Sequence, residues 1–320
     1  MTMKRLLLLS LSLCMVLSCG GRRTASAPAT RTFPEVRPPA MLSGDEALQY
    51  MAVHFWDRYL DTTGRWLSDS AHIAGVDTLT VETQVGTYAT LLGMVPIGEA
   101  RKSTAALYAR MEACQRADST AQLFPRLTEL ISRYLYDPNS PVRLEDAYEP
   151  FVARLATSPF VPAARKAGYA FEARMCRLNA IGSPAADFVY QDLRGRRHRL
   201  YDIRAPYTLL FFTNPGCPNC RDIMDSLQQP FIADMVEKGT LAIVNVYIDE
   251  DIDAWRAYAP TYPRSWHTGF DPGMVIRSDI LYHVRAIPSL YLLDEDKTVL
   301  LKDAPPEKVF AALGDWLPTQ

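Results

Sequence analysis

The sequence predicts an α+β protein of two domains, an N-terminal all-α helical bundle followed by an α/β domain. Three observations carry that expectation. A length of 320 residues suits about two domains. From about Leu42 to Asn179 the apolar residues recur at helical spacing. Beyond Ile181-Gly182-Ser183-Pro184, short β-rich runs alternate with helical ones, the pattern of a mixed α/β sheet. Apolar content of 48% and charged content of 22% are ordinary for a globular chain. The formal net charge of −2 gives no reason to expect a nucleic-acid partner.

The first residues bear on where the protein works. Lys4 and Arg5 precede an almost unbroken apolar run from Leu6 to Leu17. That is the layout of a secretory signal peptide. Ser18-Cys19-Gly20 resembles a bacterial lipobox, which makes residues 1–18 a lipoprotein signal peptide and Cys19 the lipidated first residue of the mature chain. The alternative is an ordinary signal peptide with a chance cysteine. Residues 19–40, rich in Arg, Thr, Ala and Pro, read as a tether. No later stretch is apolar for the roughly 20 residues that a membrane-spanning helix needs. Cys14 lies in the segment to be discarded, which leaves four thiols: Cys114, Cys176, Cys217 and Cys220. Disulfides persist outside the cytoplasm, but four cysteines are too few for a disulfide scaffold in so long a chain. One functional pair and two others is the better account.

The helical domain is expected over residues 41–180. Ser43 and Glu46 stand at capping-box spacing before an amphipathic run to Leu60. A second helix spans Leu79 to Leu92 and stops at Gly93. Leu107, Met111 and Cys114 mark another, and Leu123, Leu127, Leu130 and Tyr134 a further one. Ala164, Ala167, Phe171, Met175 and Leu178 predict the apolar face of the last, with Pro162 in its first turn. About six helices, each with one apolar face, imply a bundle. Phe55, Trp56 and Tyr59 are expected in its core, and Cys114 as a buried thiol or a partner of Cys176.

The α/β domain is expected over residues 181–320. Phe188–Gln191 and His198–Tyr201 flank Arg194-Gly195 as a hairpin, with Arg196, Arg197 and Arg199 on a solvated turn. Tyr207–Thr213 and Leu241–Ile248 are continuous apolar strands of the kind buried on both faces. Asn219–Glu237 and Asp251–Tyr258 are helical. Ser289–Leu293 and Thr298–Leu301 are strands, and Pro306–Trp316 closes the chain as a helix.

The chemistry is expected at Cys217-Pro218-Asn219-Cys220, where a buried strand runs through a short loop into a helix. A thiolate is the nucleophile, and a free thiol near pKa 8.5 is mostly protonated. The positive end of a helix dipole favours the anion. Cys217 is therefore the attacking thiol and Cys220, one turn on, the resolving one. A zinc site would need four ligands, and there is no second CxxC. His54, His72, His198, His267 and His283 show no ligand spacing to the pair. A structural disulfide is the other alternative. The Pro and Thr spacing that precedes a peroxidatic cysteine is missing.

Residues 181–320 resemble the thioredoxin superfamily, specifically the membrane-tethered TlpA/ResA-like thiol–disulfide oxidoreductases. The resemblance rests on the CxxC, on Gly182-Ser-Pro-Ala-Ala-Asp187-Phe188 at the domain entry, and on Ile287-Pro288 just before a strand. It implies a thioredoxin-like fold, a cis peptide between Ile287 and Pro288, and substrate binding at those two residues by strand pairing. It also implies reductase activity toward exported protein thiols and disulfides, with no cofactor or metal and with a membrane or periplasmic electron donor. The protein is then expected in the cell envelope, periplasmic and lipid-anchored. Tyr136-Asp-Pro-Asn-Ser-Pro141-Val-Arg143 and Asn179-Ala-Ile-Gly182 resemble an uncharacterised helical domain of Bacteroidetes lipoproteins, which implies no activity.

Three departures from the family pattern bear on the redox chemistry. Gly216 replaces a frequent Trp, Phe211 stands where thioredoxins place a buried acid, and Ile223 where some ResA-like reductases place one. Asp222 or Asp225 could substitute for the acid, or simply be solvated. The rival class of function is a lipid-anchored binding or scaffold protein whose helical domain captures a partner while the CxxC is structural or vestigial. The helical domain, joined by a short link, is expected to orient the CxxC face or help select its substrate, without catalytic groups.

Overall fold

Amphipathic periodicity in the first half of the chain produces six helices among the described residues. They are α1 (Gly44–His54), α2 (Thr78–Leu92), α3 (Ile97–Ala117), α4 (Leu123–Leu135), α5 (Glu145–Leu155) and α6 (Ala163–Arg177), with a small hairpin of β1 (His72–Ile73) and β2 (Val76–Asp77) before α2. The computed structural model describes residues 27–315; the expected signal peptide and Cys19, the expected lipidation residue, lie outside the described residues. Spacing predicts most of the α4 face: Leu123, Leu127 and Leu130 are buried, Tyr134 is only half-buried, and Ile131 joins the buried face. The Asp77 carboxylate accepts from the Thr80 amide at the start of α2. Phe55, Trp56 and Tyr59 are buried with Tyr88 in the bundle core. Among the described residues no helix is long and apolar enough to cross a membrane.

Several local expectations differ from the fold. The Ser43 side chain makes no capping bond, and Gly44 beside it sits at φ +52°. Helix α1 stops at His54, though Phe55 to Leu60 still fill the core from turns. On α6 the buried face is Tyr169, Ala173, Met175 and Cys176, while Phe171 is exposed. The helix is rotated so that Tyr169, Ala173 and Cys176 face the bundle, and Phe171 meets His283 of the second domain at 5.6 Å. The second half of the expected tether is docked. Arg31 donates to Ala74 O at 2.9 Å and lies 4.0 Å over the Trp66 ring, and Phe33 stacks on Tyr59 at 4.9 Å. Backbone bonds from Ala29 to Arg65 O and from Arg31 to Gly75 O join this aromatic and this planar cation in pinning the proline-rich strip.

The second half forms one sheet flanked by helices. Its elements are β3 (Val189–Gln191), β4 (Arg197–Arg199), β5 (Tyr207–Phe212), α7 (Pro218–Ser226), α8 (Pro230–Glu237), β6 (Leu241–Tyr247), α9 (Ile252–Tyr258), β7 (His267–Phe270), α10 (Val275–Ser278), β8 (Ser289–Leu293), β9 (Val299–Leu301) and α11 (Pro306–Asp315). Strand order is β4-β3-β7-β6-β5-β8-β9. Strands β5, β6 and β7 run parallel, and β8 returns antiparallel beside β5. Alternate residues serve opposite faces, as strand geometry requires. Leu209 and Phe211 pack with Cys220, Ile223 and Met224 of α7, whereas Leu210 and Phe212 pack with Phe188 and Tyr282. The expected helix over 219–237 is two helices. Pro230 disfavours helical backbone at the residue before it, and Gln229 is extended at ψ 146°. Strand β7 is short and contains Gly269, which disguises it in sequence. A Cβ there would lie 2.5 Å from the Tyr190 ring, so only glycine lets β3 and β7 pair.

The two domains meet through buried polar bonds. At the junction Asn179, at φ +49°, donates to Leu281 O at 2.8 Å and accepts from the Ala186 amide at 2.8 Å. Asp146 accepts from the Ile181 amide at 3.0 Å. The Glu145 carboxylate pairs with Arg285 and, at 3.1 Å, with Lys302. Lys302 Nζ also donates to Met175 O and Cys176 O, each at 2.9 Å. Arg143 donates to Asp303 O at 2.7 Å, and Asp303 accepts from Ser289 Oγ at 2.7 Å.

Candidate active site

Strand β5 delivers the chain to the surface, and Gly216 at φ +72° turns it into α7. Pro218 occupies the first helical turn, where its missing N–H costs nothing. Cys217 is the residue that caps the helix: its Sγ accepts from the Cys220 amide at 3.2 Å. The two cysteines form a disulfide with Cα atoms 5.3 Å apart. Cys217 is half-buried, and Cys220 is 6% exposed against the sheet. The Ile287–Pro288 peptide is cis. Ile287, Pro288, Asn219 and Ile223 line a cleft of about 390 Å³, to which Pro138, Asn139 and Arg143 of the helical domain also contribute.

This geometry can support thiol chemistry at one sulfur. After reduction, Cys217 would keep the Cys220 amide and the positive end of α7 beside it, both of which favour the thiolate. The two positions where a buried acid is expected are apolar here. Phe211 is fully buried and Ile223 nearly so, both in the apolar cluster under the helix. Asp222 and Asp225 are exposed, so neither takes the place of the buried carboxylate.

A buried polar cluster at β5 and β6 has almost no signature in the sequence. Thr213 Oγ1 lies 3.0 Å from the Tyr262 hydroxyl and accepts from Asn245 Nδ2 at 3.0 Å. Burial pushes the Tyr262 hydroxyl up to about 12, against the pull of its Thr213 hydrogen bond. One residue on, Asn214 Nδ2 donates to Asp249 at 2.6 Å, and Asp249 pairs with Arg277. These bonds fix the root of the loop that carries Cys217. The available signal was Asn245, a lone amide within Leu-Ala-Ile-Val-Asn-Val-Tyr.

The other cysteines lie elsewhere. Cys114 and Cys176 are both free and do not pair. Cys114 points at Leu60 O, 3.4 Å away, and burial pushes its thiol up. Burial first, and then Glu145, hold the Cys176 thiol well above the ordinary range. Cys176 is buried and Cys114 half-buried, so both are held as neutral thiols within the helical domain.

Residues 19–179 match the family described as Domain of unknown function (DUF5106), and residues 181–302 match the AhpC/TSA family. The chain is similar to a crystal structure of a thioredoxin-like protein from Bacteroides caccae. That similarity has a TM-score of 0.75 at 30% identity, over 91% of this chain and 100% of the other. It is also similar to thiol-disulfide oxidoreductase ResA of Geobacillus kaustophilus, 28% identical over 123 residues, which are 38% of this chain and 67% of the relative. The ResA of Bacillus cereus is 28% identical over 122 residues, 38% of this chain and 68% of its own.

With Cys217 capping α7 and Cys220 against the sheet, alkylation of the reduced protein at mildly acidic pH should modify Cys217 first. Mass mapping of the labelled peptide reads the order, and preferential labelling of Cys220 would reverse the roles.

Proposed function

We propose that this chain, which belongs to the thioredoxin-like thiol–disulfide oxidoreductases with an N-terminal DUF5106 domain, reduces disulfides of exported polypeptides through Cys217 and Cys220. The Cys217 thiolate attacks one sulfur of a substrate disulfide, and the other sulfur leaves as a thiolate. The Cys220 thiolate then attacks Cys217 Sγ, releases the second substrate thiol and leaves the enzyme disulfide. Two electrons have passed to the substrate. A dithiol donor in the membrane or periplasm returns them by the same exchange in reverse. The observation that carries this reading is Cys217 Sγ as the cap of α7, bonded to Cys220. Ile287 and Pro288 are the substrate-binding residues in this reading, pairing their backbone with the chain that bears the target cysteine.

Cys19 is the proposed lipidation site, which would place the enzyme at the periplasmic face of a membrane. Cys19→Ser should move the protein from the membrane pellet to the soluble fraction; continued pelleting would argue against the anchor.

The exchange reading is tested with insulin and dithiothreitol. The wild-type protein should speed insulin reduction, Cys217→Ser should fall to the uncatalysed background, and Cys220→Ser should accumulate mixed disulfides through Cys217. A Cys217–Cys220 bond that resists dithiothreitol is a structural bridge, and the protein would then be a binding or scaffold protein.

A further inference from the structure

We propose that the loop joining α4 to α5 of the helical domain is one wall of the cleft that receives the substrate. The cleft takes an extended polypeptide segment with an apolar residue beside its cysteine and a basic residue close by. This rests on the exchange reading of Cys217 and Cys220 and adds the substrate class to it.

The cleft is built by both domains. Asn219, between the two cysteines, and Pro288 line it from the thioredoxin-like domain; Pro138 and Asn139 line it from the helical domain. Its volume of about 390 Å³ suits a few side chains of an extended segment. The helical-domain wall is held in place beside the Ile287–Pro288 segment. Arg285, two residues before Ile287, donates to Tyr136 O and Glu145, and its guanidinium lies 4.0 Å over the Tyr136 ring. Ser289, directly after Pro288, donates to Asp303, which is 3.5 Å from Arg143. Residues 136–145 therefore grip the substrate-pairing segment on both sides and also border the space in front of it. A linker-mounted domain would not need such contacts.

The lining chemistry selects the occupant. Ile287 and Phe310, both half-buried, present apolar surface, with Ile223 and Leu290 buried behind them. The ionisable side chains open to solvent there, Asp222 and Glu307, are both acidic. Arg143 also lines the cleft, but its side chain is only 10% exposed and is engaged with Asp303. A glutamate on the substrate would meet like charge, whereas a lysine would meet two carboxylates. Rejection of the wrong charge contributes to selection as much as attraction of the right one.

The test uses the full-length enzyme, recycled by dithiothreitol with the uncatalysed rate subtracted, with two disulfide-bearing peptides that differ only in Lys or Glu two residues from the cysteine. Hydroxyethyl disulfide is the small reference. The lysine peptide should be used with roughly five-fold higher kcat/KM, the scale of one solvated charge contact, and Glu307→Lys should invert that order. Asn139→Trp, an exposed loop substitution that fills the cleft, should lower the ratio of peptide to hydroxyethyl disulfide turnover about ten-fold, through KM. Because that ratio is normalised to the cysteine pair, general misfolding does not move it. Equal use of the two peptides, or an unchanged ratio in Asn139→Trp, overturns the proposal. Failure of the wild type to turn over hydroxyethyl disulfide would instead overturn the exchange reading.

Discussion

The arrangement of this protein depends on one buried carboxylate. Glu145, 3% exposed at the start of α5, is paired with Arg285 and Lys302, which belong to the other domain. A buried charge without partners costs several kcal/mol. Neither set of charges can therefore be buried unless the domains are docked. Helix ends reinforce the fit. Glu145 and Asp146 occupy the first turn of α5, where negative charge is favoured, and Lys302 meets the last carbonyls of α6, where positive charge is favoured. Asp303 completes the network: burial pushes its carboxyl up to about 6, and Arg143 opposes that shift.

The network reaches the chemistry through the chain itself. Arg285 and Ser289 lie on either side of Ile287–Pro288, and both are bonded into it, Arg285 directly and Ser289 through Asp303. Cys217 is held by β5, by the Gly216 turn and by the cap it makes on α7. The site is thus braced by two unrelated devices. A helix terminus conditions the sulfur, and an interdomain ion cluster positions the edge opposite. Apolar Phe211 and Ile223 pack under the helix, so a thiolate at Cys217 would depend on the dipole and amide.

Much of this was legible in sequence because the signals were local. The CxxC, the unbroken strands Tyr207–Phe212 and Leu241–Tyr247, and the 3–4 spacing of Leu123, Leu127 and Leu130 each state their structure within a few residues. What stayed hidden was long-range. Arg143 and Asp303 are 160 residues apart, and Glu145 and Arg285 are 140 apart. In sequence each looks like a solvated surface charge. The α6 face is ambiguous in sequence because Ala164, Ala167 and Phe171 satisfy helical periodicity as well as Tyr169, Ala173 and Cys176 do, and only the position of α5 and of His283 chooses between them. Gly269 hid a strand, and Phe33 hid a docked segment within a proline-rich stretch.

The central claim is that the two domains are a single cooperative unit joined at Glu145. Hydrogen–deuterium exchange across a urea titration, read separately for α4–α5 and for β5–β6, tests it most directly. Both regions should lose protection at one common midpoint, and Glu145→Ala should lower the stability of both by about 3 kcal/mol or more, the cost of leaving buried cations unpaired. Two separate midpoints, with Glu145→Ala shifting only the helical one, would contradict the account.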